Sequence, residues 1–217
     1  MTRILETLEC SPVGEIGKLE SHIKNMLNLI KKIRERTGAG VVAIKNALNE
    51  AGGDEEKAIE ILRKLGHSKV AKKAGREAKE GIVVSYVHSN NRVGSLVKLL
   101  CETDFVARNE EFQALAKDIA MHITAMNPSF IKPEDVSADV VEKEKEIWKE
   151  QLAAEKKPAE IIEKILAGKE KKFREEMALM TQPFIKNPEI TIGDLIAEKV
   201  GKIGENIQVG EMVRFEI

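Results

Sequence analysis

Between residues 95 and 126 the chain changes period, and that change limits what the surrounding segments can build. Ser95-Leu96-Val97-Lys98-Leu99-Leu100 has the pattern of a largely buried strand, whereas Phe112, Leu115, Ala116, Ile119, Ile123 and Met126 recur at helical spacing. Thr103, Asp104, Phe105 and Val106, in the run Cys101-Glu102-Thr103-Asp104-Phe105-Val106-Ala107-Arg108, therefore form a strand-to-helix corner. Asn109 followed by Glu110 and Glu111 supplies a helix N-cap and an acidic first turn, which satisfies free amides and the helix dipole. On this pattern the helix starts after the corner and not through it. A carboxylate and an aromatic ring side by side on such a corner can project outward together, as a charge and an apolar wedge.

The rest of the chain is long enough to surround that corner with one sizeable core and a small module: 217 residues, 42% hydrophobic. No apolar run approaches the roughly 20 residues needed to span a bilayer, and the first residues lack the basic-then-apolar layout of a secretory signal. A soluble, cytoplasmic protein with no membrane partner is expected. Thirty-five basic against 36 acidic residues leave a net charge of −1, so no global field draws it to polyanions. Cys10 and Cys101 have no metal-like spacing; Cys101 is expected as a buried small hydrophobe, with an intermolecular bridge as the alternative.

In chain order, residues 1–25 carry Pro12, Gly14 and Gly17 and a weak apolar rhythm, which predicts a poorly ordered or loosely packed extension. Residues 26–66 fit three short helices. Leu27, Ile30 and Ile33 mark the first, which ends at Thr37-Gly38-Ala39-Gly40; Val41 opens the second; Asp54 caps the third, with Glu55 and Glu56 in its first turn. Adjacent Val41 and Val42 differ by about 100° around a helix, so at least one is expected to face a partner and not so small a core. Residues 67–80 form a basic linker. Arg63, Lys64, Lys69, Lys72, Lys73, Arg76 and Lys79 have no aromatic residues between them for base stacking, and the run follows helix spacing. A solvated linker helix fits it better than a nucleic-acid site.

Residues 81–217 form the second domain. A β-hairpin (Gly81 to His88, turn Ser89 to Gly94, Ser95 to Leu100) leads into the corner and its helix. Two charged helices over about 138–178 follow, joined by the short segment Ala154 to Lys157 and hence antiparallel, as a protruding helical hairpin. Gln182-Pro183-Phe184 and Asn187-Pro188 have the composition of a loop, Ile192 to Val200 of a helix, and Gln208 to Ile217 of a strand that completes the sheet. The expected fold class is α+β: an N-terminal three-helix bundle, then an antiparallel sheet of about three strands packed with helices.

Catalytic motifs do not appear. There is no Gly-x-x-x-x-Gly-Lys-Ser/Thr, no Gly-x-Gly-x-x-Gly after a strand, no His-Glu-x-x-His and no Cys-x-x-Cys. His22, His67, His88 and His122 are scattered, and His122, at the edge of an apolar helix face, fits a packed structural role. Glu102 and Asp104, two apart on an extended segment, would face one side as an acid/base pair but without a visible pocket. A binding protein is expected, with no catalytic residues, no cofactor and no metal.

Several segments, in one order, resemble bacterial and organellar translation elongation factor Ts. They are Arg34-Glu35-Arg36-Thr37-Gly38-Ala39-Gly40, Glu50-Ala51-Gly52-Gly53-Asp54, Ala71-Lys72-Lys73-Ala74-Gly75-Arg76, Glu102-Thr103-Asp104-Phe105-Val106, Phe130-Ile131-Lys132-Pro133-Glu134-Asp135-Val136, Gln182-Pro183-Phe184 and Val213-Arg214-Phe215-Glu216. The resemblance covers about Ile30 to Ile217; residues 1–25 have no counterpart in it. It implies a guanine-nucleotide exchange factor that binds GDP-bound and nucleotide-free elongation factor Tu. Phe105 would wedge near that GTPase's magnesium site and Asp104 would disturb the ion's surroundings, with Thr103 and Val106 completing the corner.

The resemblance also implies that the bundle, UBA-like in form, docks on the GTPase through Arg36, Thr37, Gly38, Gly40, Val41 and Val42. Many members carry methionine at the two valine positions, so that contact is thinner here. His88, within Tyr86-Val87-His88 and before Arg92-Val93-Gly94, matches a partner-contacting histidine. Longer members place the hairpin and the corner on different halves of a duplicated core; here both fall on one half, which implies a homodimer. Two rival accounts are a binding module without exchange activity and a nucleic-acid binder using Arg63 to Lys79. Exposure of Phe105 in the free protein separates an exchange wedge from a purely structural corner, which would bury the ring.

Overall fold

The computed structural model describes residues 13–153 and 159–217, and the chain divides into two units between Lys64 and Leu65. The first unit holds α1 (Val13–Thr37), α2 (Val41–Glu50) and the start of α3 (Glu55–Lys73). Ile33, Ile44, Ala47 and Ala58 are fully buried at its centre, with Ile30, Leu48 and Ile59 around them. Glu55, in the first turn of α3, accepts from Lys32 at 2.7 Å and from Arg36 at 2.8 Å, so one carboxylate ties α3 to α1.

Two expectations are corrected here. Helix α1 begins at Val13, so residues 13–25 are helical and not part of a poorly ordered extension; residues 1–12 lie outside the described residues. Ile16, Leu19, Ile23, Leu27 and Ile30 continue the helical spacing backwards, and Gly14 and Gly17 weaken that rhythm without breaking it. Helix α3, in turn, runs past Gly66 to Lys73, so no break at Gly66 separates the third helix from the linker helix expected after it.

The second unit is built on an antiparallel sheet of three strands in the order β1 (Glu80–Val87), β2 (Val93–Cys101), β5 (Gln208–Glu216). Alternation assigns its two faces. Val97, Leu99 and Cys101 point inward with Ile82, Val84 and Tyr86, and are covered by α5 (Glu110–Met126) through Phe112, Leu115, Ala116, Ile119 and Ile123. Helix α8 (Ile192–Ile203) adds Ile192, Leu195, Ile196 and Val200 to the same core. Val83, Val87, Leu96, Val213 and Phe215 point the other way and are exposed.

The α+β class therefore stands, with one local revision. Residues 183–191 are not a loop: β3 (Pro183–Phe184) and β4 (Asn187–Thr191) pair as a second, two-stranded sheet. Neither Pro183 nor Pro188 has an amide to donate, and each stands at or beside a strand start, where that loss is tolerated. Helices α6 (Ala138–Ala153) and α7 (Ala159–Met177) form the expected hairpin. They are joined side by side by Lys145 with Glu170 at 2.5 Å, Trp148 with Phe173 at 5.7 Å between rings, and Gln151 with Lys169 at 3.5 Å. The expected connection, Ala154 to Lys157, lies outside the described residues.

Candidate functional site

The corner is helical after all. Thr103 is an N-cap, its hydroxyl accepting from the Val106 amide, and Asp104–Ala107 make one turn, α4, closed by Ala107 N to Thr103 O (3.2 Å) and Arg108 N to Asp104 O (3.1 Å). Asn109 then caps α5 by accepting from the Glu111 amide at 2.8 Å. A single turn sandwiched between two caps has no room to show a helical period in the sequence. Its effect is to rotate successive side chains by about 100°. Ala107 is buried, Val106 packs against the core, and Phe105 is 80% exposed. Asp104 is half-exposed and pairs with Arg108 at 3.1 Å.

Because the turn is helical, Glu102 and Asp104 do not share one side as an acid/base pair. Glu102 instead faces Arg76 (3.5 Å) and accepts from the Asn206 amide at 2.6 Å. Across from it, Glu205 accepts from the amides of Glu102 and Thr103, each at 3.1 Å, and from the Thr103 hydroxyl at 2.7 Å. These two residues of the α8–β5 turn carry no local sequence signal, since their partners lie 102 to 104 positions away. Behind the corner, burial and the neighbouring Glu205 charge push the Cys101 thiol up to about 11, so it stays protonated and donates to Thr103 O. Cys101 is fully buried, as a small hydrophobe should be.

His88 is exposed at the β1–β2 turn, with its Nδ1 3.3 Å from the Tyr86 hydroxyl. It stands at the far end of β2 from Thr103, about 26 Å away at ~3.3 Å per residue. One copy of the second unit does not bring His88 and Phe105 together. In the first unit, Thr37 donates to Ile33 O at 2.7 Å and accepts from the Ala39 amide, while Gly38, at φ +63°, reverses the chain. Gly40 then precedes α2, on which Val41 is 46% and Val42 74% exposed, so both valines face out and not just one. Arg36, in the last turn of α1, is held by Glu55 and Glu56 of α3, each at 2.8 Å.

His122 occupies the structural place expected of it. It is fully buried, donates from Nε2 to Gln182 Oε1 at 3.0 Å and accepts at Nδ1 from the Ile185 amide. Burial holds its pKa below the usual histidine value. Among the described residues no group of three or more His, Cys, Asp or Glu is placed to hold a metal, and no helix is long and apolar enough to cross a membrane.

Comparison with known proteins agrees with this architecture over nearly the whole chain. A family model described as Elongation factor TS matches residues 20–217. Relatives named Elongation factor Ts include that of Thermodesulfovibrio yellowstonii, 57% identical over 189 residues, which are 87% of this chain and 94% of the relative. That of Fervidobacterium nodosum is 56% identical over 189 residues (87% of this chain, 96% of the relative), and that of Carboxydothermus hydrogenoformans 53% identical over 189 (87% of each). The match places the chain among the translation elongation factors. Within that class, it belongs to the elongation factor Ts family.

Proposed function

We propose that this chain is a guanine-nucleotide exchange factor for elongation factor Tu, acting in the cytoplasm during protein synthesis. The observation that carries the proposal is Phe105. Fully burying such a ring is worth about 1.5–3 kcal/mol, yet it stands 80% exposed on a turn whose neighbours, Val106 and Ala107, are turned inward. A rigidly presented apolar side chain beside a carboxylate is what insertion into a partner requires. Phe105 wedges into the GTPase near its magnesium site, and Asp104 exchanges Arg108 for the ion's surroundings. Loss of the ion's support weakens the hold on the nucleotide phosphates, GDP leaves and GTP follows.

No catalytic residue or cofactor is needed, because exchange follows from differential binding. If the factor binds the nucleotide-free GTPase more tightly than the GDP-bound one, it lowers GDP affinity by the same ratio, tenfold for each ~1.4 kcal/mol. The first unit supplies affinity through Arg36, Thr37, Gly38, Gly40, Val41 and Val42. Calorimetric titration of the chain into nucleotide-free and into GDP-bound elongation factor Tu is expected to give dissociation constants at least about tenfold apart. Equal constants would remove the thermodynamic basis for exchange.

The protein works as a homodimer. The outer face of the three-stranded sheet supports this: it exposes Val83, Val87, Leu96, Val213 and Phe215, with Lys98 and Glu211 beside each other at 3.8 Å. Such a surface is self-complementary under a two-fold axis. Pairing also answers the separation within one copy, since the His88 of one protomer then serves the partner contacted by the Phe105 of the other. Direct nucleic-acid binding is not part of the function. Arg76 and Lys79 face Glu102 and Glu77, Lys64 faces Glu60, and Lys73 donates to Gly204 O, so four of the seven basic residues are engaged within the protein.

A further inference from the structure

The corner rests on the core through Val106 and Ala107, while the polar anchors of the backbone leading into it come from the distant α8–β5 turn. We propose that Glu205 is the positioning residue of the exchange wedge. Its one carboxylate holds the two amides that lead into α4 and the hydroxyl that caps it, with Oε2 at 3.1 Å from both the Glu102 and Thr103 amides and Oε1 at 2.7 Å from Thr103 Oγ1. The hydroxyl contact matters most. By donating to Glu205, Thr103 leaves a lone pair turned toward the Val106 amide, the N-cap bond that winds the turn carrying Asp104 and Phe105.

The hold is reciprocal. Glu102 reaches back to the Asn206 amide at 2.6 Å, while the fully buried Asn206 side chain donates to Arg76 O at 2.8 Å. Gly204, in the left-handed conformation at φ +91°, closes α8 and turns the next two residues toward the corner. Two carboxylates thus clasp two backbone segments, each accepting from the other's amides. Glu205 touches neither the nucleotide nor the ion in this account; it acts through the pose of residues 103–106.

This inference rests on the exchange-factor reading, and the test separates the two. Release of a fluorescent GDP analogue from elongation factor Tu is measured over a range of concentrations of the full chain, as wild type, Glu205→Ala and Glu205→Gln. Amide hydrogen exchange of the same three proteins, without partner, is followed at Glu102, Thr103 and Val106. Glu205→Ala is expected to lower the maximal release rate at least about tenfold, equivalent to ~1.4 kcal/mol of coupling. Its half-saturating concentration is expected to stay within about threefold, ~0.65 kcal/mol, because the first unit's docking surface is untouched. Glu205→Gln, which keeps one acceptor oxygen of the two, should fall between wild type and Glu205→Ala.

All three amides are expected to exchange faster in Glu205→Ala, with circular dichroism unchanged. Wild-type maximal rate in the Ala variant, or unchanged protection of the three amides, overturns the proposal. If Glu205→Ala fails to fold, Glu205→Gln decides: reduced maximal rate with native circular dichroism supports the clasp, and a wild-type rate overturns it. If the wild type itself does not accelerate release, the exchange reading is the one that fails, and amide protection alone then decides whether Glu205 holds the corner.

Discussion

Phe105 and His122 show two opposite uses of a ring. Phe105 packs on little, so its loss should leave the fold alone: Phe105→Ala is expected to change the unfolding free energy by no more than about 0.5 kcal/mol. His122 is enclosed, with both ring nitrogens engaged as a neutral imidazole. Burial depresses its folded-state pKa below the ordinary value near 6.5, so above about that pH neither state binds the proton. As pH falls below 6.5 the unfolded chain takes up a proton that the folded one refuses. Stability is therefore lost from about pH 6.5 down to the depressed pKa. Urea unfolding at pH 7.5 and 5.5 should show that loss in the wild type and a smaller one in His122→Gln, provided the variant folds; equal losses would contradict the assignment.

The elements divide into those whose cause is local and those whose cause is not. Helix α5 and strand β2 follow from their own periodicity, and the cap at Asn109 was visible for the same reason. The one-turn helix α4 was not, since four residues are too few for a period and its winding depends on Glu205 from across the chain. The strands at 183–191 were hidden by Pro183 and Pro188, which signal a break unless the missing amides face no partner. Gly81 illustrates a constraint that only register reveals. At φ +153°, a Cβ there would lie 2.2 Å from the Leu99 carbonyl oxygen, where β1 pairs with β2. Gly81→Ala should cost more than ~1 kcal/mol by denaturant midpoint. Gly168→Ala, on the exposed face of α7 with nothing near the new methyl, should instead gain about 0.5–1 kcal/mol. Similar effects at both sites would show that the hairpin register is wrongly assigned.

For the whole molecule, motif order made the family legible and implied a homodimer through the resemblance, while the basis of the corner's pose was hidden because its partners lie 102 to 104 positions away. Burial of one sheet face against α5 follows from alternation; the other face is exposed in the single chain, and the proposed dimer would cover it. Phe215, 65% exposed on that face, is the direct test. Sedimentation should show a wild-type dimer and a Phe215→Asp monomer, since a carboxylate would be buried without a partner. A monomeric wild type would remove the dimer and leave His88 without access to the Phe105 site. The central claim is that the corner opens a partner's nucleotide site. It is tested most directly by stopped-flow release of a fluorescent GDP analogue from elongation factor Tu, with the wild type and with Phe105→Ala. The account predicts strong acceleration by the wild type and a loss of at least about tenfold in the variant, ~1.4 kcal/mol of coupling. Equal acceleration by both proteins, or none by either, would contradict it.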